Sequence, residues 1–103
     1  MSVRDVLIEA RALIDRPGKW CQNVLAVDGK MCAGHAVYVA VEGRRGLAKF
    51  AMDALALATP GREWRAHPSR YQPMAEVACF NDTHTHAEVM ELFDRGIEAA
   101  PAL

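Results

Sequence analysis

Val3, Val6, Leu7, Ala10, Leu13 and Ile14 recur at i, i+3, i+4, i+7, i+10 and i+11, a single apolar stripe of 3.6-residue period. The spacing predicts an opening amphipathic helix. Ser2 is its N-cap, Asp5 falls at its third position, and Arg16-Pro17-Gly18 stops it. Val24-Leu25-Ala26-Val27 followed by Asp28-Gly29 reads as a short extended piece and a turn, a small β-hairpin near 23–31. Residues 33–41 carry two patterns. Val37, Val39 and Val41 alternate as in a strand, while Ala33, Ala36, Val37 and Ala40 form a helical stripe ended by Glu42-Gly43.

A further helix is predicted over roughly 45–58, with Leu47, Phe50, Ala51, Ala54, Leu55 and Ala58 on one shared face. Thr59-Pro60-Gly61 terminates it. Residues 60–73 contain Pro60, Pro68 and Pro73 and few apolar positions, so they read as a loop. A short helix over about 73–80 begins at Pro73, which suits a first helical position. Thr85-His86-Ala87-Glu88 is a capping-box pattern. It opens a last helix with Val89, Leu92, Phe93 and Ile97 on one side, and that helix frays at Pro101. The expected architecture is mainly α: one small domain, residues 1–103, of four to five short helices, possible β-hairpin included. The last helix is expected to close the core against the first.

Length and composition agree with a single core. The chain has 103 residues, 51% of them apolar, enough for one domain. It has no apolar run long enough to span a bilayer and no basic-then-apolar leader, so a cytoplasmic protein without a membrane partner is expected. Cys21, Cys32 and Cys79 are odd in number and follow no framework spacing, which fits free thiols in a reducing compartment. Net charge is −1 but unevenly spread. Residues 44–70 hold six basic and two acidic groups; residues 71–103 hold one basic and six acidic groups. Such asymmetry either pairs within the fold or presents opposite patches.

Few residues could carry chemistry. Cys32-x-x-His35 has metal-ligand spacing, and His84-x-His86 would supply two more groups for a four-ligand zinc site. No second Cys-x-x-Cys or His-x-x-x-His supports them, so no metal and no cofactor is assigned. Cys21 or Cys32 would serve as a nucleophile if paired with a histidine, and Cys32 stands just before a predicted helix start. No catalytic signature accompanies it, so Cys32 and His35 remain weak candidates. Packing is the simpler role for Trp20, Cys21 and Cys79. Asn81 and Asp82 are expected to satisfy free backbone N–H groups before the last helix.

Residues 62–71 interleave basic and aromatic groups: Arg62, Trp64, Arg65, His67, Arg70 and Tyr71. Phosphate contacts and base stacking use this mixture, but the chain is slightly acidic and lacks a helix-turn-helix or zinc-finger pattern. Tryptophan, tyrosine and arginine also dominate the hot spots of protein interfaces. Arg62, Trp64, Arg65, Arg70 and Tyr71 are therefore the predicted partner-binding residues, with the acidic last helix as a second surface.

The order Trp20-Cys21-Gln22, a turn at Gly29, Cys32 ahead of Gly34-His35-Ala36, an alanine-rich helix and then Asn81-Asp82 resembles a group of small uncharacterised actinobacterial and actinophage proteins. Their shared pattern runs Gly-Trp…Cys…Gly-Ala-Leu…Trp-Asn-Asp. The resemblance spans nearly the whole chain and implies a mostly helical fold, with residues 33–41 as helix. The chain departs from the pattern where Lys19 precedes Trp20, where His35 interrupts Gly-Ala, and where Phe80 replaces tryptophan. The resemblance implies no activity. The expected role is a small non-enzymatic protein-interaction domain, with a phage or prophage accessory acting on a host protein as its narrower form. A Cys/His-centred enzyme or metal module is the first alternative, and a nucleic-acid-associated protein is the second.

Overall fold

In the computed structural model, residues 2–42, 45–60 and 72–100 are described. The fold is mainly α. Its elements are α1 (Val3–Leu13), a single 3₁₀ turn (Pro17–Lys19), β1 (Ala26–Val27), β2 (Lys30–Met31), α2 (Ala33–Val41), α3 (Arg45–Ala58), α4 (Gln72–Thr83) and α5 (His86–Ala99).

The helix ends follow from local side chains. Ser2 accepts the Asp5 N–H on its hydroxyl, and the Asp5 carboxylate accepts the Ser2 N–H, a complete capping box on α1. Thr85 and Glu88 make the same reciprocal pair on α5. Both carboxyls are held below the ordinary value, first by the backbone N–H of the capping residue and then by its hydroxyl. A carboxyl whose folded value is depressed stabilises the native state above its unfolded value, and that contribution is lost as pH falls through the folded value. Thr85→Ala is expected to lower stability by about 1 kcal/mol at neutral pH. It should flatten the acid decline in melting temperature only in part, because the Thr85 N–H, the larger cause of the lowered Glu88 carboxyl, is kept. Urea melts at neutral and acid pH check both effects.

Between α1 and α2 the chain makes a compact polar excursion. The hairpin pairs Ala26 with Met31 and Val27 with Lys30, and Asp28 and Gly29 at its turn both have positive φ. Trp20 makes a parallel bridge with Met31, and the Cys21 N–H donates to the Met31 carbonyl at 3.2 Å. The predicted hairpin is thus present, with strands of two residues each.

The core is shared by all five described helices. It includes Val6, Leu7, Ala10 and Ile14 of the α1 segment, Ala33, Ala36 and Val37 of α2, Ala51 and Leu55 of α3, Val77 of α4, and Val89, Leu92 and Phe93 of α5. α1 packs on α2 and on α5, so the expected closure of the first helix by the last is observed. Gly96 lets α5 lie close to α3: a Cβ there would stand 3.1 Å from Leu55 Cδ2. Arg4 reinforces the α1–α5 contact by donating to the carbonyls of Ile97 (3.1 Å) and Ala100 (2.9 Å) at the end of α5.

Three expectations are corrected. α4 runs on to Thr83, past the expected stop near residue 80. The buried face of α3 is Ala48, Ala51, Met52, Leu55 and Ala56, so Phe50, expected on the core face, points outward. α3 is apolar on both sides, and periodicity alone cannot choose between two apolar stripes. Cys79, expected to pack, is exposed. The stops at Gly43 and Pro101 lie outside the described residues.

Candidate functional site

Two places concentrate the features singled out above. The first is a polar junction where residues 20–23 meet the end of α4. Asn81 is fully buried and at its centre. Its Oδ1 accepts from Trp20 Nε1 at 2.6 Å and from the Ala33 N–H, at the start of α2, at 3.0 Å. Its Nδ2 donates to the Cys21 carbonyl at 3.0 Å and to Asp82 Oδ1 at 3.1 Å. Two donors and two acceptor lone pairs are the full capacity of an asparagine amide, and all four are used. Asp82 also accepts the N–H of Asn23, whose φ of 68° is left-handed. Gln22 Nε2 donates to the carbonyls of Asn81 (3.1 Å) and His84 (3.0 Å).

This junction explains why α4 extends beyond Phe80. The carbonyls of a last helical turn have no partners within the helix. Here His84 Nδ1 bonds Phe80 O at 2.9 Å and Gln22 takes Asn81 O at 3.1 Å. Asn81 and Asp82 do satisfy free backbone N–H groups, as expected from the sequence. The groups belong to α2 and residue 23, and not to the last helix.

The chemistry-bearing side chains around the junction are engaged in the same way. Cys32 is the buried N-cap of α2, and its sulfur accepts the His35 N–H at 3.4 Å. The described link between Cys32 and His35 is therefore sulfur to backbone. Cys21 Sγ donates to Val24 O (3.5 Å) and more weakly to Leu25 O (3.9 Å). Burial pushes the Cys21 thiol up, with Cys32 and Asp82 nearby adding to the shift, which disfavours a thiolate there. The His84 ring stacks on Phe80 with centroids 3.7 Å apart. The His86 Nε2 bonds the Ile14 carbonyl at 2.7 Å and its ring lies against Trp20. Among the described residues no three His, Cys, Asp or Glu side chains gather as a metal-holding group.

The second place is a groove of about 650 Å³ between α3 and the end of α5, lined also by Val3. Ala54, Ala58, Ala99, Ala100, Phe50 and Leu57 line it, with Asp53 and Arg95 as the charged lining residues. Phe50 is 59% exposed and Leu57 51% exposed. Arg95 Nε reaches the Ala58 carbonyl at 3.4 Å, and among the described residues neither Asp53 nor Arg95 has an ion-pair partner. Phe50, Asp53, Ala54, Leu57 and Ala58 follow the spacing i, i+3, i+4, i+7, i+8, a second stripe on a helix whose first stripe already fills the core. The sequence hides this groove because the periodicity places Phe50 on the same face as Ala51 and Leu55. The signal was present as an α3 apolar on both sides. The predicted contact residues Arg62, Trp64, Arg65, Arg70 and Tyr71 lie outside the described residues, and their stretch follows the groove directly in sequence. On α5, Glu91 and Glu98 are exposed, and Asp94 pairs with Arg11 at 2.8 Å. No helix among the described residues is long and apolar enough to cross a membrane.

Comparison with known proteins adds a family. The model of a family of unknown function, DUF6197, matches residues 1–99. No curated protein matches, and no solved structure matches.

Proposed function

The chain belongs to DUF6197, a family of unknown function, and on that premise we propose that it is a small non-enzymatic protein-interaction domain. The observation that carries this reading is the groove on the outer side of α3. Its lining is mostly apolar and includes four alanines and a phenylalanine that is 59% exposed. Phe50 and Leu57, both more than half exposed, line this groove together, and contiguous apolar patches mark interaction sites where single exposed residues do not. The polar junction supports the same reading from the other side. Asn81, Asp82, Cys21, Cys32, His84 and His86 are each committed to backbone or ring contacts that hold the fold.

The contact surface proposed is the groove together with Arg62, Trp64, Arg65, Arg70 and Tyr71. The narrower role of a phage or prophage accessory acting on a host protein rests on the sequence resemblance alone. Affinity capture from a host lysate, with and without nuclease, tests the reading. The expected result is one stoichiometric protein that survives nuclease and is lost with Trp64→Ala or Phe50→Asp, while far-UV circular dichroism stays unchanged. Recovery of nucleic acid and its proteins only, abolished by nuclease, would overturn it in favour of a nucleic-acid role.

A further inference from the structure

We infer that Cys21 and Cys32 are a redox pair, two thiols that the fold sets side by side so that a small disulfide of the glutathione class oxidises them to a Cys21–Cys32 bond that locks the polar junction. The inference is independent of the groove. Trp20 and Met31 form a parallel bridge, and the Cys21 N–H donates to the Met31 carbonyl at 3.2 Å. Cys21 and Cys32 are the next residues in that register. Neighbouring strands lie about 4.8 Å apart, and side chains paired in register leave on one face. A disulfide spans Cα atoms about 4.4–6.8 Å apart, so the register suits one. Burial follows the same alternation: Trp20 and Met31 are half-buried, whereas Cys21 and Cys32 are both buried, and both are free thiols.

Two further contacts hold the pair together. The Leu25 carbonyl accepts the Cys32 N–H at 2.9 Å and lies 3.9 Å from Cys21 Sγ, so the Cys21 sulfur reaches across to the Cys32 backbone. A continued parallel ladder would join the Ala33 N–H to the Cys21 carbonyl directly. The Asn81 carboxamide takes both of those ends, at 3.0 Å each, and so clamps the two segments beside the cysteines.

The oxidation balances with one glutathione disulfide. Cys21 is the more accessible sulfur, at 9% exposure against 4% for Cys32. It loses its proton to solvent and attacks one sulfur of oxidised glutathione. The glutathione S–S bond breaks, and one glutathione leaves and takes up a proton. Cys32 then loses its proton and attacks the Cys21 sulfur, and the second glutathione leaves in the same way. Two protein thiols are oxidised by two electrons, and one disulfide is reduced to two thiols. Burial, and then the neighbouring Cys32, push the Cys21 thiol up, which slows the first attack; the product is uncharged and loses nothing by burial. The new bond closes a loop from residue 21 to residue 32 that contains the hairpin, and ties it to the first turn of α2.

The test uses the full chain in a Cys79→Ser background, because Cys79 is exposed and would react on its own. The reduced chain is equilibrated with oxidised and reduced glutathione, once by refolding into that buffer, so that burial does not limit access, and once in denaturing urea. Free thiols are trapped with a maleimide and the intact chain is weighed. The expected product is lighter by two hydrogens, takes up no maleimide and yields a cross-linked Cys21–Cys32 peptide. The effective thiol concentration should be about 100-fold higher in the folded chain than in urea, the gain for a loop of this length. By linkage, the oxidised chain should melt about 10 °C higher than the reduced one. A ratio near one overturns the pair, as does an oxidised chain that melts no higher than the reduced one. Glutathione held at either cysteine in place of the cross-link overturns it as well.

Discussion

Asn81→Ala is expected to remove about 3–5 kcal/mol of stability, roughly the sum of leaving two or three buried polar groups without partners. The truncation strips Oδ1 from both Trp20 Nε1 and the Ala33 N–H, and Nδ2 from the Cys21 carbonyl. Asn81 is fully buried, so water cannot replace those bonds without opening the junction. A domain of this size has a total stability of about 5–15 kcal/mol, so the variant should be partly unfolded at moderate temperature. Asn81→Asp separates shape from hydrogen bonding. It keeps the volume but turns the donor facing Cys21 O into an acceptor and adds a charge beside Asp82. It should be at least as damaging at neutral pH and recover in part when acidified. Urea titration followed by circular dichroism measures both variants. A loss below about 1 kcal/mol for Asn81→Ala would mean that the junction is ornamental, since an ordinary substitution costs as much.

Phe93→Ala is the second large effect, also about 3–5 kcal/mol, the range for deleting a buried aromatic ring and leaving its cavity. Phe93 heads the fully buried side chains by volume and belongs to the core on which α5 packs. The informative comparison is Phe50→Ala, a chemically identical truncation on α3. Because Phe50 is mostly exposed, its loss should stay within about 0.5 kcal/mol in the monomer. Equal costs at the two positions would contradict the orientation of α3, and with it the groove. Urea melts of the two variants side by side give the clean contrast.

Which elements could be read in advance depended on how local their causes are. α1 and α5 were legible because their stripes are amphipathic and their capping boxes lie within four residues of chain. The turn at Asp28-Gly29 was legible for the same reason, since glycine there adopts positive φ. α2 was ambiguous because it is buried along most of its length, and valine-rich buried segments carry no clear period. It is helical because Cys32 and Asn81 receive its first N–H groups, and Asn81 is 48 residues away from Ala33. The end of α4 is hard to place for a similar reason: Gln22, which takes the Asn81 carbonyl of its last turn, is 59 residues distant. Asn81 and Asp82 are recognisable as backbone-satisfying residues, but the nearest helix start is not where they act: Asn81 serves the start of α2 and Asp82 the N–H of Asn23. Of the candidate site, only the polar junction was visible as a set of residues. The groove depends on which apolar side of α3 turns inward, and that is decided by the other helices.

The bond from Asn81 to the Ala33 amide has a consequence for exchange with solvent deuterium. Amides in the first turn of a helix ordinarily exchange through local fraying, because no preceding carbonyl holds them. The Ala33 N–H is buried and held by a side chain from another helix, so it opens only when α2 and α4 separate. Its exchange rate should follow global unfolding, which makes a position at the edge of a helix behave like one at the centre of the core.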